Sequence, residues 1–289
     1  MKKTAIVIGA LIASLTITPA QAVESPTVAI IDSGFNPSLI KNVVGEVCIL
    51  VTKTGCNSGT GFDQSVGASN TNITLRANWK SEWDHGTKMA SIVNQVNPDA
   101  KILLIRNAIV VPTGAVNIGG EAEFAKSLKW VISNKTKYNI SAVSFSRGQQ
   151  TWVKKGVCPV NKDIQADIIS LQNLGVATVI AAGNNGDKTN INYPACIPEA
   201  VAISGIYSSS YTPKIWSSYN QTFGTNSGLL TDFFTYGNFN TVLGPVAEST
   251  SASTASFAGY WSKVTNGSYF ETYEKLSKST SNKYIDVLK

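Results

Sequence analysis

Residues 27–35, Thr-Val-Ala-Ile-Ile-Asp-Ser-Gly-Phe, decide the fold class of this chain. A β-branched and apolar run continues up to Asp32, and such a run is typical of a strand that is covered on both faces. Open α/β sheets place ligands and chemistry at the carboxyl ends of their strands, which is where Asp32 lies. Taken alone, Asp32 before Gly34 is better explained as a turn residue.

Apolar runs of the same kind recur along the chain and alternate with helical patterns. The predicted strands are 27–31, 101–105, 140–145, 176–182 and 200–206, and the predicted helices cover 122–132, 164–174 and 270–278. This alternation predicts an α/β fold, with a doubly wound, mostly parallel β-sheet and helices on both faces. Residues 52–78 and 207–237 are rich in Gly, Ser, Asn and Thr and are expected to be long surface loops.

The first 22 residues have the composition of a secretory leader. Two lysines at the start precede an apolar stretch over 5–17, and Ala20-Gln21-Ala22 is a small-residue cleavage site. We therefore expect cleavage between Ala22 and Val23 and a protein that is secreted or periplasmic. The apolar stretch is too short for a good membrane span, and no later one reaches the required length.

The leader also determines the expected domain organisation. Nine residues separate the cleavage site from Asp32, and part of them forms the first predicted strand. A segment of that size cannot bury a core. The expectation is one domain over 23–289, without a pro-domain.

Charge and cysteine content narrow the expected partners. The net charge is +6, or +4 without the two lysines of the leader, and no basic run has interleaved aromatics. Nucleic acid is therefore not an expected partner. Four cysteines fit an oxidising compartment, and they allow three pairings. The short spacing favours Cys48–Cys56, which leaves Cys158–Cys196. A metal site is the weaker alternative, since the chain has one histidine and no CxxC pair.

That single histidine is His85, which precedes Gly-Thr and an apolar run with helical spacing. A lone histidine is often a surface or core residue, but one at the start of a small-faced helix can also be held rigidly towards a cleft. A serine-rich segment, 248–259, begins a helix near the C-terminus, and helix capping is the ordinary explanation of serines at a helix start. Between the two lies Ala-Ala-Gly-Asn-Asn-Gly, residues 181–186, at a strand end.

The order of these features matters more than any one of them. An aspartate after the first strand, then a histidine and then a serine, each opening a helix, is one order of the Ser-His-Asp triad. The chain resembles the subtilisin-like serine proteases over about 26–288. VAIIDSGF, DHGTKMASIV and STSASTASFAG resemble the family's aspartate, histidine and serine motifs. VIAAGNNG, followed by Tyr193-Pro194, resembles its oxyanion-asparagine motif. The resemblance implies the subtilisin-like three-layer fold.

The resemblance also implies catalytic roles. Ser251 would be the nucleophile, and His85 would take its proton and later give it to the leaving amine. Asp32 would fix the tautomer of the ring and stabilise the imidazolium. Asn184 would donate its side-chain amide to the oxyanion, together with the backbone N–H of Ser251.

A second set of residues would bind the substrate. Ser146, Arg147 and Gly148 would pair with an extended peptide as an added strand. The primary specificity pocket would be formed by Ala181, Ala182, Gly183 and Asn192. A plain sheet edge and turn is the alternative for both groups.

The chain departs from the family pattern around the nucleophile. The usual Gly, Met and Pro are replaced by Ser249, Ala252 and Ala255, and Arg147 stands where Leu is frequent. A proline at position 255 would remove one helix N–H and bend the first turn, whereas Ala255 keeps the N–H and allows a straight turn. This difference is expected to change the position of Ser251 slightly. It would therefore affect the rate of the reaction more than its mechanism.

The sequence therefore predicts an exported serine endopeptidase acting on peptides or proteins through an acyl-enzyme. Two alternatives stay open, the catalytic subunit of an exported toxin and an inactive relative that only binds peptides. No G-x-S-x-G motif is present, which disfavours a lipase-type hydrolase. No cofactor and no metal is expected. A structural calcium ion and a separate chaperone, inhibitor or toxin partner subunit are left open.

Overall fold

The large sheet at the centre of the molecule is parallel except at one edge. The structure, a computed structural model, describes residues 25–70, 85–110, 116–148, 158–206, 215–218, 221–246, 249–280 and 282–288. The predicted leader, 1–22, lies outside these residues. The sheet has nine strands in the order β15-β12-β9-β8-β7-β1-β4-β2-β3, and only β2 and β3 pair antiparallel. These strands are β1 Thr27–Asp32, β2 Val43–Ile49, β3 Phe62–Asp63, β4 Lys101–Arg106, β7 Ile140–Phe145, β8 Ala177–Ala181, β9 Val201–Ile206, β12 Phe233–Tyr236 and β15 Tyr284–Ile285.

Six shorter strands form three antiparallel pairs outside this sheet. The pairs are β5 Ala108–Val110 with β6 Val116–Ile118, β10 Ile215–Ser218 with β11 Gln221–Gly224, and β13 Phe239–Thr241 with β14 Gly244–Val246. The helices are α1 His85–Val96, α2 Glu121–Asn134, α3 Lys162–Asn173, α4 Thr250–Val264 and α5 Tyr269–Lys278, with a 3-10 turn at Pro37–Leu39.

Two buried clusters, one on each face of the sheet, hold the layers together. Alternate residues of β1 enter different clusters, so that Val28 and Ile30 pack with α1, α4 and α5, whereas Ala29 and Ile31 pack with α2 and α3. Since both faces of β1 are covered, its unbroken apolar sequence has a direct structural reason. The predicted three-layer α/β fold is confirmed.

The five predicted strands and three predicted helices are present with ends shifted by at most two residues. The prediction of a surface loop over 207–237 is wrong in part, because β12 lies inside it and joins the sheet beside β9. Strand β2 was not predicted. Within the described part of 52–78, only the two-residue β3 is regular.

Strand order places the candidate site. Strand β1 lies between β4 and β7 in the sheet. The chain adds β2 and β4 on one side of β1 and then β7, β8 and β9 on the other, so the strand order reverses at β1. The carboxyl ends of β1 and β7 are Asp32 and Phe145, and the segment after Phe145 begins with Ser146. Ligands of open α/β sheets bind at such a reversal. In the described ranges, no helix has the length and apolarity needed to cross a membrane.

Candidate active site

Asp32 ends β1 with its carboxylate almost buried. Its Oδ1 accepts hydrogen bonds from the backbone N–H of Ser33 at 2.7 Å and from the Ser33 hydroxyl at 3.1 Å. Only 6% of the Asp32 side chain is exposed. These contacts fix the carboxylate at the strand end.

His85 is the first residue of α1, and its ring faces Asp32. The distance from its Nδ1 to each carboxylate oxygen of Asp32 is 2.9 Å. A carboxylate accepts hydrogen bonds, so Nδ1 carries the proton and Nε2 is left as the basic nitrogen of the neutral ring. One third of the His85 side chain is exposed.

Gly86 explains why a small residue follows this histidine. A Cβ at Gly86 would lie 2.4 Å from the carbonyl oxygen of Gly34 and 3.0 Å from the Cβ of Asp32. The start of α1 therefore approaches the end of β1 more closely than any side chain would allow. The small residue in the His85-Gly86 sequence is thus required by its close contact with the Asp32-Ser33-Gly34 sequence.

Opposing influences set the pKa of His85. Burial is the largest and lowers the pKa, while the charge of Asp32 and its hydrogen bond raise it. The positive charges of Lys88 and Arg147, like burial, lower the pKa of His85. The balance favours the imidazolium, and the pKa lies above its ordinary value of 6.5.

Ser251 is the second residue of α4 and is bound to the end of β7. Its Oγ donates to the carbonyl oxygen of Ser146 at 3.2 Å, and the Ser146 hydroxyl donates to the Ser251 carbonyl at 3.1 Å. Within the described residues, no hydrogen bond joins Ser251 to His85. The structure thus pairs Asp32 with His85 directly and attaches Ser251 to the neighbouring strand.

Asn184 follows β8, and Thr250 holds its side chain. The Asn184 Oδ1 accepts from the Thr250 backbone N–H at 2.9 Å and from the Thr250 hydroxyl at 3.0 Å. With its oxygen held on that side, the amide group directs Nδ2 away from Thr250. In the described part of the chain, neither this Nδ2 nor the backbone N–H of Ser251 has an acceptor. Thr250 is a site residue that was not predicted from the sequence, although it directly precedes Ser251.

The residues expected to bind substrate meet around Asn192. A Cβ at Gly148 would lie 2.8 Å from the Asn192 Cβ, and one at Gly183 would lie 2.3 Å from the Asn192 Nδ2. Ala181 and Ala182 are buried at the end of β8. Gly183 has a φ of 108°, a backbone conformation that side chains rarely adopt. The structure therefore brings the two predicted groups of residues together.

Arg147 and Gly148 line a small pocket next to this segment. Phe124 and Phe145 form an apolar wall, with ring centroids 4.1 Å apart. Glu121 lines the pocket too, and its Oε1 accepts from the Tyr193 hydroxyl at 2.8 Å. The Arg147 Nη1 donates to the carbonyl oxygen of Gly119 at 3.3 Å. The apolar wall and Glu121 were not predicted from the sequence to belong to the site.

Both expected disulfide pairs are present, Cys48–Cys56 and Cys158–Cys196. The Cys196 backbone N–H donates to the Asn192 carbonyl at 3.1 Å, so the second disulfide braces the turn that carries Asn192. Among the residues that the structure describes, no group of three His, Cys, Asp or Glu side chains could hold a metal ion.

Comparisons with known proteins agree with this fold. A solved structure of a protease from Pseudoalteromonas arctica has a TM-score of 0.65 to this chain at 17% identity. The alignment covers 91% of this chain and 88% of that one, so the two share a fold. No curated protein matches the sequence. The sequence model of the Subtilase family matches residues 24–280. The chain therefore belongs to the subtilase family of serine proteases.

Proposed function

We propose that the protein is an exported serine endopeptidase that hydrolyses peptide bonds through Asp32, His85 and Ser251. One observation carries the proposal, the contact of both Asp32 oxygens with the His85 Nδ1 at 2.9 Å. A histidine held in this way has a fixed tautomer and a basic Nε2, which are the properties of a general base. An inactive relative has no need of this pairing.

The first half of the reaction forms the acyl-enzyme. The Ser251 Oγ gives up its hydrogen bond to the Ser146 carbonyl and turns towards the Nε2 of His85, as the looser contacts of a free enzyme allow. His85 takes the hydroxyl proton while Oγ attacks the scissile carbonyl carbon. The resulting imidazolium donates the proton to the leaving amine as the C–N bond breaks, and Asp32 stabilises its charge. Water then attacks the ester carbonyl while His85 takes a proton from it, and His85 returns that proton to the Ser251 Oγ as the ester C–O bond breaks and the acid is released.

The developing oxyanion would be bound by the Nδ2 of Asn184 and the backbone N–H of Ser251. Both donors are without an acceptor in the described residues, whereas the Oδ1 of Asn184 is occupied by Thr250. The position at the start of α4 adds a favourable helix dipole. A side-chain donor of this kind contributes about 3 kcal/mol to transition-state stabilisation.

The neighbouring serines are poorer candidates for the nucleophile. Ser249 caps α4, and its Oγ accepts from the Ala252 N–H at 3.2 Å. Ser253 and Ser256 are fully buried, and their hydroxyls donate to carbonyl oxygens of β12. Ser251 keeps 7% of its surface exposed. These contacts support Ser251 over the other three.

Substrate would bind along 146–148 as an added strand, with the side chain next to the scissile bond between Gly148, Gly183 and Asn192. A further apolar side chain of the peptide would occupy the pocket formed by Phe124 and Phe145. Export after cleavage between Ala22 and Val23 is part of the proposal, and the two disulfides support an oxidising compartment.

The test is labelling with a fluorophosphonate probe, followed by peptide turnover. The wild type and Ser253→Ala should be labelled once per chain, and Ser251→Ala should be unlabelled and inactive. Ser253→Ala is the matched control, because it removes a serine hydroxyl two residues away that donates to Thr235. Substantial turnover by Ser251→Ala would refute the assignment.

A further inference from the structure

Asn226 is a buried residue that no motif of the sequence singles out. It lies within the stretch that was predicted to be a surface loop, yet only 1% of it is exposed. Its Oδ1 accepts from the backbone N–H groups of Asn185 at 3.1 Å and Asp187 at 3.0 Å. Its Nδ2 donates to the Ala182 carbonyl at 3.0 Å. The side chain thus contacts the backbone on both sides of Asn184.

The backbone around Asn226 supports the same turn. The Asn226 N–H donates to the Gly183 carbonyl at 2.9 Å, and the Gly224 N–H donates to the Asn184 carbonyl at 3.2 Å. Gly186 completes the pairing by donating to the Gly224 carbonyl at 2.8 Å. The turn that carries Asn184 is therefore paired with a segment that is distant in the sequence.

Asn226 also contacts Asn192, in the expected specificity pocket. The Asn226 Nδ2 lies 3.2 Å from the Asn192 Oδ1, and the Asn192 Nδ2 donates to the Asn185 Oδ1 at 3.1 Å. A Cβ at Gly183 would lie 2.6 Å from the Asn226 Nδ2, so no side chain could occupy that position. One buried amide connects the oxyanion turn with the pocket next to it.

We propose that Asn226 is a positioning residue, which holds the 182–187 turn so that the Asn184 amide meets the oxyanion. The proposal rests on the proposed function. Hydrogen-bond donors to an oxyanion act through their placement, and displacement of such a group by about 1 Å costs up to about 100-fold in rate. Asn226 fixes 182, 185 and 187 without touching the reacting atoms.

The experiment is a double-mutant cycle between Asn226→Ala and Asn184→Ala, with rates normalised to fluorophosphonate-labelled sites. With Asn184 present, Asn226→Ala should lower kcat by up to about 100-fold. With Asn184→Ala in place, the same change should alter kcat by less than about twofold, because Asn226 acts through Asn184. Asn97→Ala is the matched control, since Asn97 is a buried asparagine that donates to Ser262. It should leave kcat unchanged in both backgrounds.

A second variant covers the case in which Asn226→Ala does not fold. Asn226→Ser adds neither charge nor volume, and its hydroxyl can both accept and donate a hydrogen bond in place of the amide, so it should lose less kcat and show the same coupling. An equal loss with and without Asn184, for either variant, would overturn the inference and leave Asn226 as a structural residue. A wild type that is not labelled would refute the proposed function itself, and the inference with it.

Discussion

Asp32 and His85 illustrate how single contacts define this site. The carboxylate is fixed by Ser33 on one side, and it raises the pKa of the imidazole on the other. Two cations, Lys88 and Arg147, lower that pKa. Because these charges belong to separate side chains, the effect of each on the pKa of His85 can be removed by a single substitution.

We expect kcat/KM to rise with pH through a kinetic pKa above 6.5, because only neutral His85 accepts the serine proton. Lys88→Gln removes a charge that lowers the pKa of His85. The acid limb of the profile should therefore move to higher pH. The measurement is a pH–rate profile on a peptide substrate.

Lys129→Gln is the control for this shift. Lys129 pairs with Asp167 at 3.0 Å, on the opposite face of the sheet from α1, and its removal should leave the profile unchanged. An acid limb that is flat from mildly acid to neutral pH would contradict a histidine base.

Helix α4 is the element on which the site depends most. It packs against α1 and contacts β7, β8 and β9, so the helix is held by several elements. Ser249, where relatives have glycine, acts as its N-cap, and Ala255, where they have proline, lies in an unbroken helix. Two of the departures from the family pattern thus have a local structural role.

Removing the cap of α4 should affect both stability and rate. Ser249→Ala removes an acceptor of the first turn, which should cost about 1 kcal/mol of unfolding free energy. It should also lower kcat, because the same turn carries Ser251. The measurements are urea unfolding in the Ser251→Ala background and turnover with the triad intact.

Ser268→Ala provides the matched comparison, since Ser268 caps α5 through the Glu271 N–H at 3.3 Å. It should cost about the same stability, with no change in kcat. Equal turnover by the two cap variants would show that the first turn of α4 keeps its position without Ser249.

At the scale of the whole molecule, the sequence predicted the central strands because their apolar runs reflect burial on both faces. Strand β2 escaped prediction because Gly45 and Glu46 interrupt its apolar run. Glu46 is satisfied by the Gly67 N–H and the Ser69 hydroxyl, contacts that local patterns do not reveal. Strand β12 escaped because its surroundings have the composition of a loop.

The site was predictable to a similar extent. Motif order placed Asp32 and His85, and the structure joins them. Thr250 and Asn226 were missed because their roles arise from contacts between distant segments, which no single stretch contains. The Ser251–Ser146 hydrogen bond was missed for the same reason, since it joins segments that are far apart in the sequence.

The two disulfides should contribute unequally to stability. Their half-cystines are separated by 38 residues for Cys158–Cys196 and by 8 for Cys48–Cys56. Loop-closure entropy predicts losses of about 4 and about 2.5 kcal/mol when each pair is changed to serine. Urea unfolding in the Ser251→Ala background measures both. A digest without reduction should show the two linkages, and a Cys48–Cys158 peptide would contradict them.

The smaller loop has two additional contacts, both with Arg106, that bear on this comparison of the disulfides. Arg106 is buried beside it, and its Nη2 donates to the Gly55 carbonyl at 3.1 Å and to the Cys48 Sγ at 3.2 Å. Burial lowers the pKa of Arg106 to about 10. A larger loss for Cys48–Cys56 than for Cys158–Cys196 would show that these contacts outweigh chain entropy.

The central place of β1 also has a consequence for the time at which activity appears. A ribosome makes Asp32 and His85 before strands β7, β8 and β9, whereas it makes Ser251 and the rest of α4 after every other residue of the site. Domains fold as units, and non-local contacts form late. With the roles proposed above, a growing chain contains the base without the nucleophile and would be unable to cut itself or its neighbours. The proposed hydrolysis would begin only when synthesis of α4 is complete.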